Sequence, residues 1–415
     1  MPRLPAGLNA LNATQFLGAM NDNILKLLIV YFLIHRQGAA QAGLINATAG
    51  VAFALPFLLL SAPAGCLADR YRKSRVSVGV KLLEVLVTAL AVVAFTLGCT
   101  TALYGLLFLM AGHSALFAPA KYGIIPELAP REELSRANGL IESFTFLAII
   151  FGTTLASLLV QISDGRFWMA ALFCLLLAVA GLMAALRLPA VPVAAPGRPI
   201  RLLPAEIWRT LRQVRQDRWL LLAVGGQAWF MLVGAFAQLN LIGYGMQRFA
   251  LNEAQSGYLF LAAALGIGVG AQVAARISGQ RVELGLVPLG GAGLVLAPLL
   301  LRLSPPSLPL AVGVIILFGV SAGLFSLPLQ TFIQLRTRSD LRGEVLAAAS
   351  FMNWVGILLA ALLTYLCSGP LGLSAAQGFS LLGLTTLAVV LGMLRSFPAM
   401  GRRAARIAGR CLTRS

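Results

Sequence analysis

The chain has 415 residues, of which 59% are hydrophobic and only 11% are charged, and its formal net charge at pH 7 is +18. Soluble domains carry about 25% charged residues, so this composition excludes a soluble globular domain. A strongly basic chain can indicate phosphate binding, but the basic residues here lie in short loops beside long apolar stretches. Membrane insertion already explains them there, and we expect no nucleic-acid partner.

Twelve apolar stretches follow one another along the chain, each long enough for the roughly 20 residues that cross a bilayer as a helix. They lie near 8–34, 44–67, 76–97, 103–120, 138–162, 167–186, 219–244, 256–275, 282–301, 308–332, 345–367 and 374–394. The sequence therefore predicts an all-α membrane protein with twelve transmembrane helices in two six-helix bundles.

Positive charge is distributed unevenly across these spans. Of the 32 Lys and Arg residues, all but six lie in the termini or in the loops that follow even-numbered spans. Cytoplasmic loops of membrane proteins retain Lys and Arg, so both termini are predicted to be cytoplasmic.

The spacing of the spans divides the chain into four parts. These are a first bundle at 1–187, a cytoplasmic linker at 188–217, a second bundle at 218–398 and a basic tail at 399–415. The linker is rich in Pro and then carries Arg at helical spacing. This pattern fits either a helix on the anionic leaflet or a solvated connector.

Weak internal repetition accompanies this division. Pro119–Ser143 and Pro328–Ser350 share an opening Pro, a basic loop and a closing Ser. Together with the central linker, the match predicts two parallel repeats.

The loop after the second span reads GCLADRYRKSR from Gly65. It resembles the signature loop of the major facilitator superfamily in both motif and position. The resemblance implies that Gly65, Asp69 and Arg70 form a conformational latch against the loop around Arg342, which stabilises an outward-facing state. The alternative is a basic loop with one incidental acid. The corresponding loop of the second half, Ala274–Val282, lacks the acid, so a latch there would be degenerate.

Ionisable side chains inside the spans are few, and each is costly unless it is paired or functional. Asp22 and Lys26 lie one turn apart in the first span and can pair, with a role in substrate binding favoured over a structural ion pair. Lys81 and Glu84 in the third span fit a functional pair or an interfacial pair that snorkels. For His113, packing is favoured over proton coupling.

Three runs carry a closer family resemblance: QFLGAMNDNILK from Gln15, FAPAKYGIIPEL from Phe117 and RANGLIES from Arg136. They resemble the lysophospholipid transporter family of the major facilitator superfamily. They are also similar to the transporter part of longer bacterial proteins fused to an acyltransferase and an acyl-carrier-protein synthetase. The resemblance implies a flippase that moves lysophosphatidylethanolamine across the bacterial inner membrane to the cytoplasmic leaflet for re-acylation.

The resemblance implies substrate roles for Asp22, Asn23, Lys121 and Glu142, and the polar residues inside the spans add Lys26, Gln238 and Asn240 to the candidates. A zwitterionic lysolipid presents an ammonium that suits Asp22 and a phosphate that suits Lys26 or Lys121. The seventh span, AWFMLVGAFAQLNLIGYG, has Gln and Asn but no Arg, which departs from stand-alone members of the family.

No catalytic set or metal motif is visible, and the five cysteines show no CxxC spacing. We therefore expect no enzyme activity and no cofactor. The expected partners are the lysophospholipid substrate, membrane lipids and a cytoplasmic acyltransferase/acyl-carrier-protein synthetase, and we expect a monomer. Two alternative functions are efflux of amphipathic drugs and a non-transporting role that recruits an acyltransferase through the linker and the Arg402–Arg414 tail.

Overall fold

The computed structural model describes residues 5–197 and 205–412. Residues 1–4 of the predicted first bundle, 198–204 of the predicted linker and 413–415 of the predicted tail lie outside the described residues. Fourteen α-helices and three short 3-10 helices form the described part of the chain, which contains no strand.

The helices are α1 Ala6–Gln37, α2 Ala42–Arg70, α3 Lys73–Leu97, α4 Thr100–Leu128, α5 Leu134–Ile162, α6 Phe167–Ala185, α7 Ala205–Gln216, α8 Arg218–Phe249, α9 Glu253–Ser278, α10 Leu286–Leu303, α11 Leu308–Arg336, α12 Arg342–Ser368, α13 Ala375–Ser396 and α14 Pro398–Leu412. Twelve of them, α1 to α6 and α8 to α13, are long and apolar enough to cross a membrane. Lipid offers the backbone no hydrogen bonds, and a helix satisfies every backbone group within the segment. The predicted all-α, twelve-span fold is confirmed.

Helix ends differ from the predicted span ends. Helix α4 continues through Pro119 and Pro126 to Leu128, whereas the apolar run indicated an end at Ala120. Lys121 is therefore a buried residue inside a helix and not the first residue of a loop. Hydropathy locates the hydrocarbon boundary, but a helix continues for as long as its backbone hydrogen bonds are made.

The two repeated segments adopt the same local structure. In the first, α4 is followed by a 3-10 helix at Arg131–Glu133 and then by α5. In the second, α11 is followed by a 3-10 helix at Ser339–Leu341 and then by α12. The shared order of elements agrees with the internal repeat that the sequence indicates.

The helices form two compact units, each of which takes one short segment from the other half of the sequence. Unit 1 comprises Met1–Pro130, Leu147–Gln216 and Thr337–Phe351. Unit 2 comprises Arg131–Phe146, Asp217–Arg336 and Met352–Ser415.

Unit 1 has an apolar core at one end of α1, α3 and α6. The ring of Phe32 meets Phe95 edge-on at 5.2 Å and Phe167 at 5.3 Å between centroids. Such edge-to-face pairs add to the stability that burial provides.

The second described part of the linker contains helix α7, which packs within unit 1. Its Ile207 is buried against Ala62 of α2 and Ala348 of α12, while Arg209 and Arg212 on its other face are exposed. A solvated connector would bury neither face, so this part of the linker is an amphipathic helix seated on the protein.

Unit 2 contains the closest helix packing in the described chain, between α9 and α11. A Cβ at Gly266 would lie 2.9 Å from the Cα of Gly319, and one at Gly270 would lie 2.8 Å from the carbonyl carbon of Val320. Small residues allow two backbones to approach in this way. Both glycines belong to the run LGIGVGA at Leu265–Ala271, and at these two positions they serve helix packing.

Candidate functional site

A charge cluster lies inside unit 1 and joins α1, α3 and α4. The ammonium of Lys81 is 2.5 Å from Oε2 of Glu84, and the Asn21 side-chain amide donates to Oε1 at 2.9 Å. Nε2 of His113 lies 3.4 Å from Glu84 Oε2 and 3.6 Å from Asp22 Oδ1. His113 therefore bridges two carboxylates, which is more than the packing role that the sequence favoured.

The two carboxylate oxygens of Asp22 differ in their hydrogen bonding. The Ser114 hydroxyl donates to Oδ2 at 2.5 Å, whereas Oδ1 accepts no hydrogen bond from the described residues. The Asp22 side chain remains 16% exposed while that of Glu84 is 1% exposed. Of the two carboxylates, Asp22 is thus the more exposed, although its Oδ1 atom is itself buried.

The Asp22–Lys26 ion pair, which the sequence allowed as the less favoured alternative, does not form in the structure. The ammonium of Lys26 lies 4.7 Å from the ring centroid of Phe53 on α2, and the Asp22 carboxylate faces Ser114 on α4. Spacing along one helix permits a pair, but side chains of the neighbouring helices compete for both partners.

The Lys81–Glu84 pair is buried and does not snorkel to an interface. Its side chains are 3% and 1% exposed, and the ammonium contacts the Cβ position of Gly18 on α1. The ring of Phe117 on α4 lies 5.5 Å from the same ammonium. A buried ion pair of this kind depends on both partners, because the loss of one leaves an uncompensated charge.

Lys121 is buried without a carboxylate partner among the described residues. Its ammonium lies 4.5 Å from the centroid of Tyr122 and 6.0 Å from that of Phe117, and it is within Coulombic range of Asp22 and Lys81. Aromatic faces compensate a desolvated ammonium only in part, so an anion would bind here favourably.

Asn23, the neighbour of Asp22, uses its side chain within its own helix. Its amide donates to the Ala19 carbonyl at 2.7 Å, so this donor is occupied in the structure.

Unit 2 holds a second set of polar contacts, between α5 and α11. The Ser326 hydroxyl donates to Glu142 at 2.5 Å. One turn away, Asn138 and Gln334 exchange two side-chain hydrogen bonds, at 2.7 and 2.9 Å. Both amides of this pair are buried, and each satisfies the other as buried polar groups require.

The two polar candidates of the seventh span differ in their surroundings. Asn240 is buried, and its amide donates to the Ala375 carbonyl at the start of α13 at 2.7 Å. Gln238 is exposed and makes no side-chain hydrogen bond to the described residues. Asn240 therefore joins two helices, and Gln238 is the member of this pair that remains free for a ligand.

The signature loop caps a helix within unit 1. Both oxygens of Asp69 accept backbone hydrogen bonds at the start of α12, from Gly343 at 2.7 Å and Glu344 at 3.0 Å. These N–H groups have no partner inside their own helix, and the helix dipole favours a carboxylate there.

Gly65, one turn earlier in α2, makes this approach possible. A Cβ on Gly65 would lie 2.8 Å from that of Ala347 and 2.9 Å from the Glu344 Cα. The other two predicted latch residues flank the contact: Arg70 ends α2 with its guanidinium 5.5 Å from the Tyr71 ring, and Arg342 begins α12.

Three members of the charge cluster could together accept a cation. Ligand atoms of Asp22, Glu84 and His113 all lie within 4.8 Å of one another. Two carboxylates face one ammonium, that of Lys81, so one further positive charge would balance the cluster. A proton on His113 or a cationic group beside Asp22 can supply it.

Several residues of these sites were not found from the sequence. They are Asn21, Ser114, Asn138, Ser326 and Gln334. Polar residues inside spans are a usable signal, and Asn138 and Glu142 do share one helix face. Their partners come from distant spans, which helical spacing does not reveal.

Comparison with known proteins identifies the family. A family model described as the Major Facilitator Superfamily matches residues 11–361. The chain belongs to this superfamily. It is a multi-pass membrane transporter, with twelve candidate spans.

Among named relatives, lysophospholipid transporters recur. The lysophospholipid transporter LplT of Enterobacter sp. (strain 638) is 28% identical over 360 residues, which cover 85% of this chain and 86% of the relative. The lysophospholipid transporter LplT of Yersinia pestis (strain Pestoides F) is also 28% identical, over 81% of this chain and 80% of its own.

Solved structures of the superfamily share the fold. The human organic anion transporter MFSD10 (TETRAN) matches with a TM-score of 0.78 at 17% identity, covering 94% of this chain and 100% of that one. A bacterial homologue of the iron transporter ferroportin matches with a TM-score of 0.75 at 16% identity, covering 95% and 99%.

Proposed function

We propose that this transporter is a lysophospholipid flippase that moves lysophosphatidylethanolamine-type lipids to the cytoplasmic leaflet by alternating access. The observation that carries the proposal is that two opposite charges, Asp22 and Lys121, lie within Coulombic range of each other in unit 1 without forming an ion pair. Oδ1 of Asp22 accepts no hydrogen bond from the described residues, and Lys121 has no carboxylate partner among them although it lies within Coulombic range of Asp22. Relatives named as lysophospholipid transporters support it.

The headgroup chemistry matches these two charges. The ethanolamine ammonium would pair with the Asp22 carboxylate, and the phosphate would pair with Lys121 and Lys26. Inside a span, each of these groups is costly when it lacks a counter-charge, so a zwitterion that satisfies both is bound more tightly than an ion of either sign.

The signature loop supplies a latch for the transport cycle in this proposal. Asp69 would hold the start of α12 in one state and release it in the other, since two backbone hydrogen bonds to a single carboxylate form or break together. Gly65, Arg70 and Arg342 would shape this contact.

The cellular setting completes the proposal. The distribution of Lys and Arg supports cytoplasmic termini in a bacterial inner membrane. The bundles at 1–187 and 218–398 would act as the moving halves, joined by the linker at 188–217 and followed by the tail at 399–415. A monomer would suffice, and a cytoplasmic acyltransferase/acyl-carrier-protein synthetase would consume the delivered lysolipid.

Uptake of labelled lipids tests the substrate class. Cells that lack other uptake routes and express the full chain receive lysophosphatidylethanolamine, phosphatidylethanolamine or a cationic dye. Uptake and re-acylation of the lysolipid alone is the expected result. Lowered dye accumulation without lysolipid movement would instead identify a drug exporter. Binding of a soluble acyltransferase with no lipid movement would identify a recruiting partner.

Two variants test the assigned charges against a matched lipid pair. Lys121→Gln is expected to reduce uptake of both lysophosphatidylethanolamine and lysophosphatidylglycerol about tenfold, because each carries the phosphate, and Lys121→Arg should retain most of it. Asp22→Asn should reduce only uptake of the ethanolamine lipid, the one with an ammonium. Equal effects of Asp22→Asn on the two lipids would contradict the ammonium assignment.

A further inference from the structure

A cavity of about 220 Å³ in unit 2 is lined by none of the residues of the charge cluster. Its aromatic wall is formed by Trp219 of α8 and Phe332 of α11, its apolar floor by Leu284 and Met400, and its rim by Arg336 and Arg403. These six residues define the basic pocket.

The basic pocket lies at membrane-interface level. Helix α8 begins at Arg218, α10 begins at Leu286 and α11 ends at Arg336, and these three span ends lie on the same side of the membrane by chain order. Trp219 packs between Phe332 and Phe397, with centroids 6.4 and 4.5 Å away. Trp is the residue that prefers the headgroup region of a bilayer.

Helix α14 forms one side of the pocket and is held tightly in place. A Cβ on Gly285 would lie 2.8 Å from that of Arg403, and Met400 and Ala404 are buried. The opposite face of α14 exposes Arg402 and Arg406. An amphipathic helix with this arrangement lies in the interface plane and attracts anionic lipids.

Positive charge exceeds negative charge around the pocket. Arg336 donates from Nε to Asp217 at 2.6 Å, which leaves its terminal nitrogens without partners among the described residues. Partial burial raises the pKa of Asp217, but the Arg336 guanidinium and the backbone N–H groups of Leu220 and Trp219 outweigh burial and lower the pKa. Asp217 is therefore ionised and orients Arg336.

Arg336 together with Arg402, Arg403 and Arg406 of α14 outnumbers the two nearby carboxylates, Asp217 and Glu283, so the surroundings of the pocket are net positive. Arg403 is exposed and has no ion pair with the described residues. The nearby carboxylate of Glu283 accepts from the Gly285 backbone at 3.1 Å. A single phosphate between the two rim guanidiniums would satisfy donors that are otherwise open.

We propose that the basic pocket binds the headgroup of an anionic diacyl phospholipid, a second lipid site that is distinct from the transport site. A lone phosphate would fill only part of the basic pocket. The pocket volume is about 220 Å³, whereas one water molecule occupies about 30 Å³ in the liquid. A glycerophosphate with its first acyl methylenes fits both the aromatic wall and the basic rim. The site does not depend on which substrate is transported.

Native mass spectrometry of the purified full-length protein tests this site. The wild type is titrated with phosphatidylglycerol, phosphatidylethanolamine or soluble glycerol phosphate. We expect phosphatidylglycerol to bind about fivefold more tightly than phosphatidylethanolamine, as one surface Lys or Arg contributes about that factor, and glycerol phosphate to bind far more weakly. The absence of lipid preference in the wild type, or equal binding of glycerol phosphate, would overturn the proposal whether or not any variant folds.

Matched variants locate the site. Arg403→Gln should remove about fivefold of the affinity for phosphatidylglycerol, and Arg403→Lys should keep it. Arg402→Gln removes the same charge one residue earlier on α14, outside the pocket lining, and should change affinity by less than about twofold. Equal losses for Arg402→Gln and Arg403→Gln would indicate a diffuse basic surface, as an acidic protein partner would use, and would overturn the pocket.

Discussion

The substitution Asp69→Asn tests the helix cap that joins α2 to α12 in unit 1. The side chain is fully buried, and its two oxygens accept from the Gly343 and Glu344 backbones at 2.7 and 3.0 Å. Asparagine keeps one acceptor but places an NH2 group against the second N–H. A hydrogen bond to a charged group contributes about 1.5–3 kcal/mol and a buried unpaired N–H costs about 1–3 kcal/mol. We therefore expect local destabilisation of about 2–4 kcal/mol.

Hydrogen exchange of the first turn of α12 measures this loss directly. A change of 2–4 kcal/mol corresponds to roughly 30-fold to 1,000-fold faster exchange in peptides that contain Gly343. Asp340→Asn is the matched control, because it removes a carboxylate that pairs with Arg338 at 3.0 Å on the surface, with side chains 41% and 78% exposed. Surface pairs contribute about 0–1 kcal/mol. Exchange in Asp69→Asn within twofold of the wild type would refute the capping argument.

Three further substitutions probe packing, charge and pH. Gly319→Ala places a Cβ against the Ala263 carbonyl of α9 and should destabilise the protein by about 1–3 kcal/mol. Gly313→Ala in the same helix meets open space and is the control. Equal melting temperatures for the two variants would argue against backbone contact at Gly319. Glu84→Gln should destabilise by about 3–5 kcal/mol because Lys81 is left buried and unpaired, and Lys81→Met combined with Glu84→Leu should recover much of that loss in a thermal melt. Asp217→Asn should cost about 1 kcal/mol at neutral pH. Since the folded pKa of Asp217 lies below its ordinary 3.8, this difference should hold above pH 4 and vanish as the pH falls through the folded pKa; a difference that persists in acid would exclude the carboxylate as its source.

The fold was predictable from the chain because it depends on local properties. Twelve apolar stretches predict twelve spans, and the structure has twelve helices that meet the same criterion. Two glycines of one helix, Gly266 and Gly270, likewise allow α9 to pack closely against α11. Predicting each span requires only the residues of one helix.

The sequence named candidate site residues but could not give their contacts. The sequence singled out Asp22 and Lys26 as charges inside the first span and showed that helical spacing allows them to pair, but it could not show what each of them contacts. Asp22 instead accepts from Ser114, 92 positions away, and Lys26 lies over Phe53. His113 likewise had no visible partner until α1 and α3 brought Asp22 and Glu84 to within 3.6 Å of it.

By itself, the sequence determined the class of the molecule, the number of its spans and the residues that burial makes costly. Tertiary structure decided which of those residues meet: Asp69 with the first turn of α12, Asn138 with Gln334, and the charge cluster around His113. The physical reason is that hydropathy sums over neighbouring residues of one chain segment, whereas a buried polar group takes its partner from whichever helix packs beside it. That choice depends on helix packing across distances that spacing along the chain does not encode.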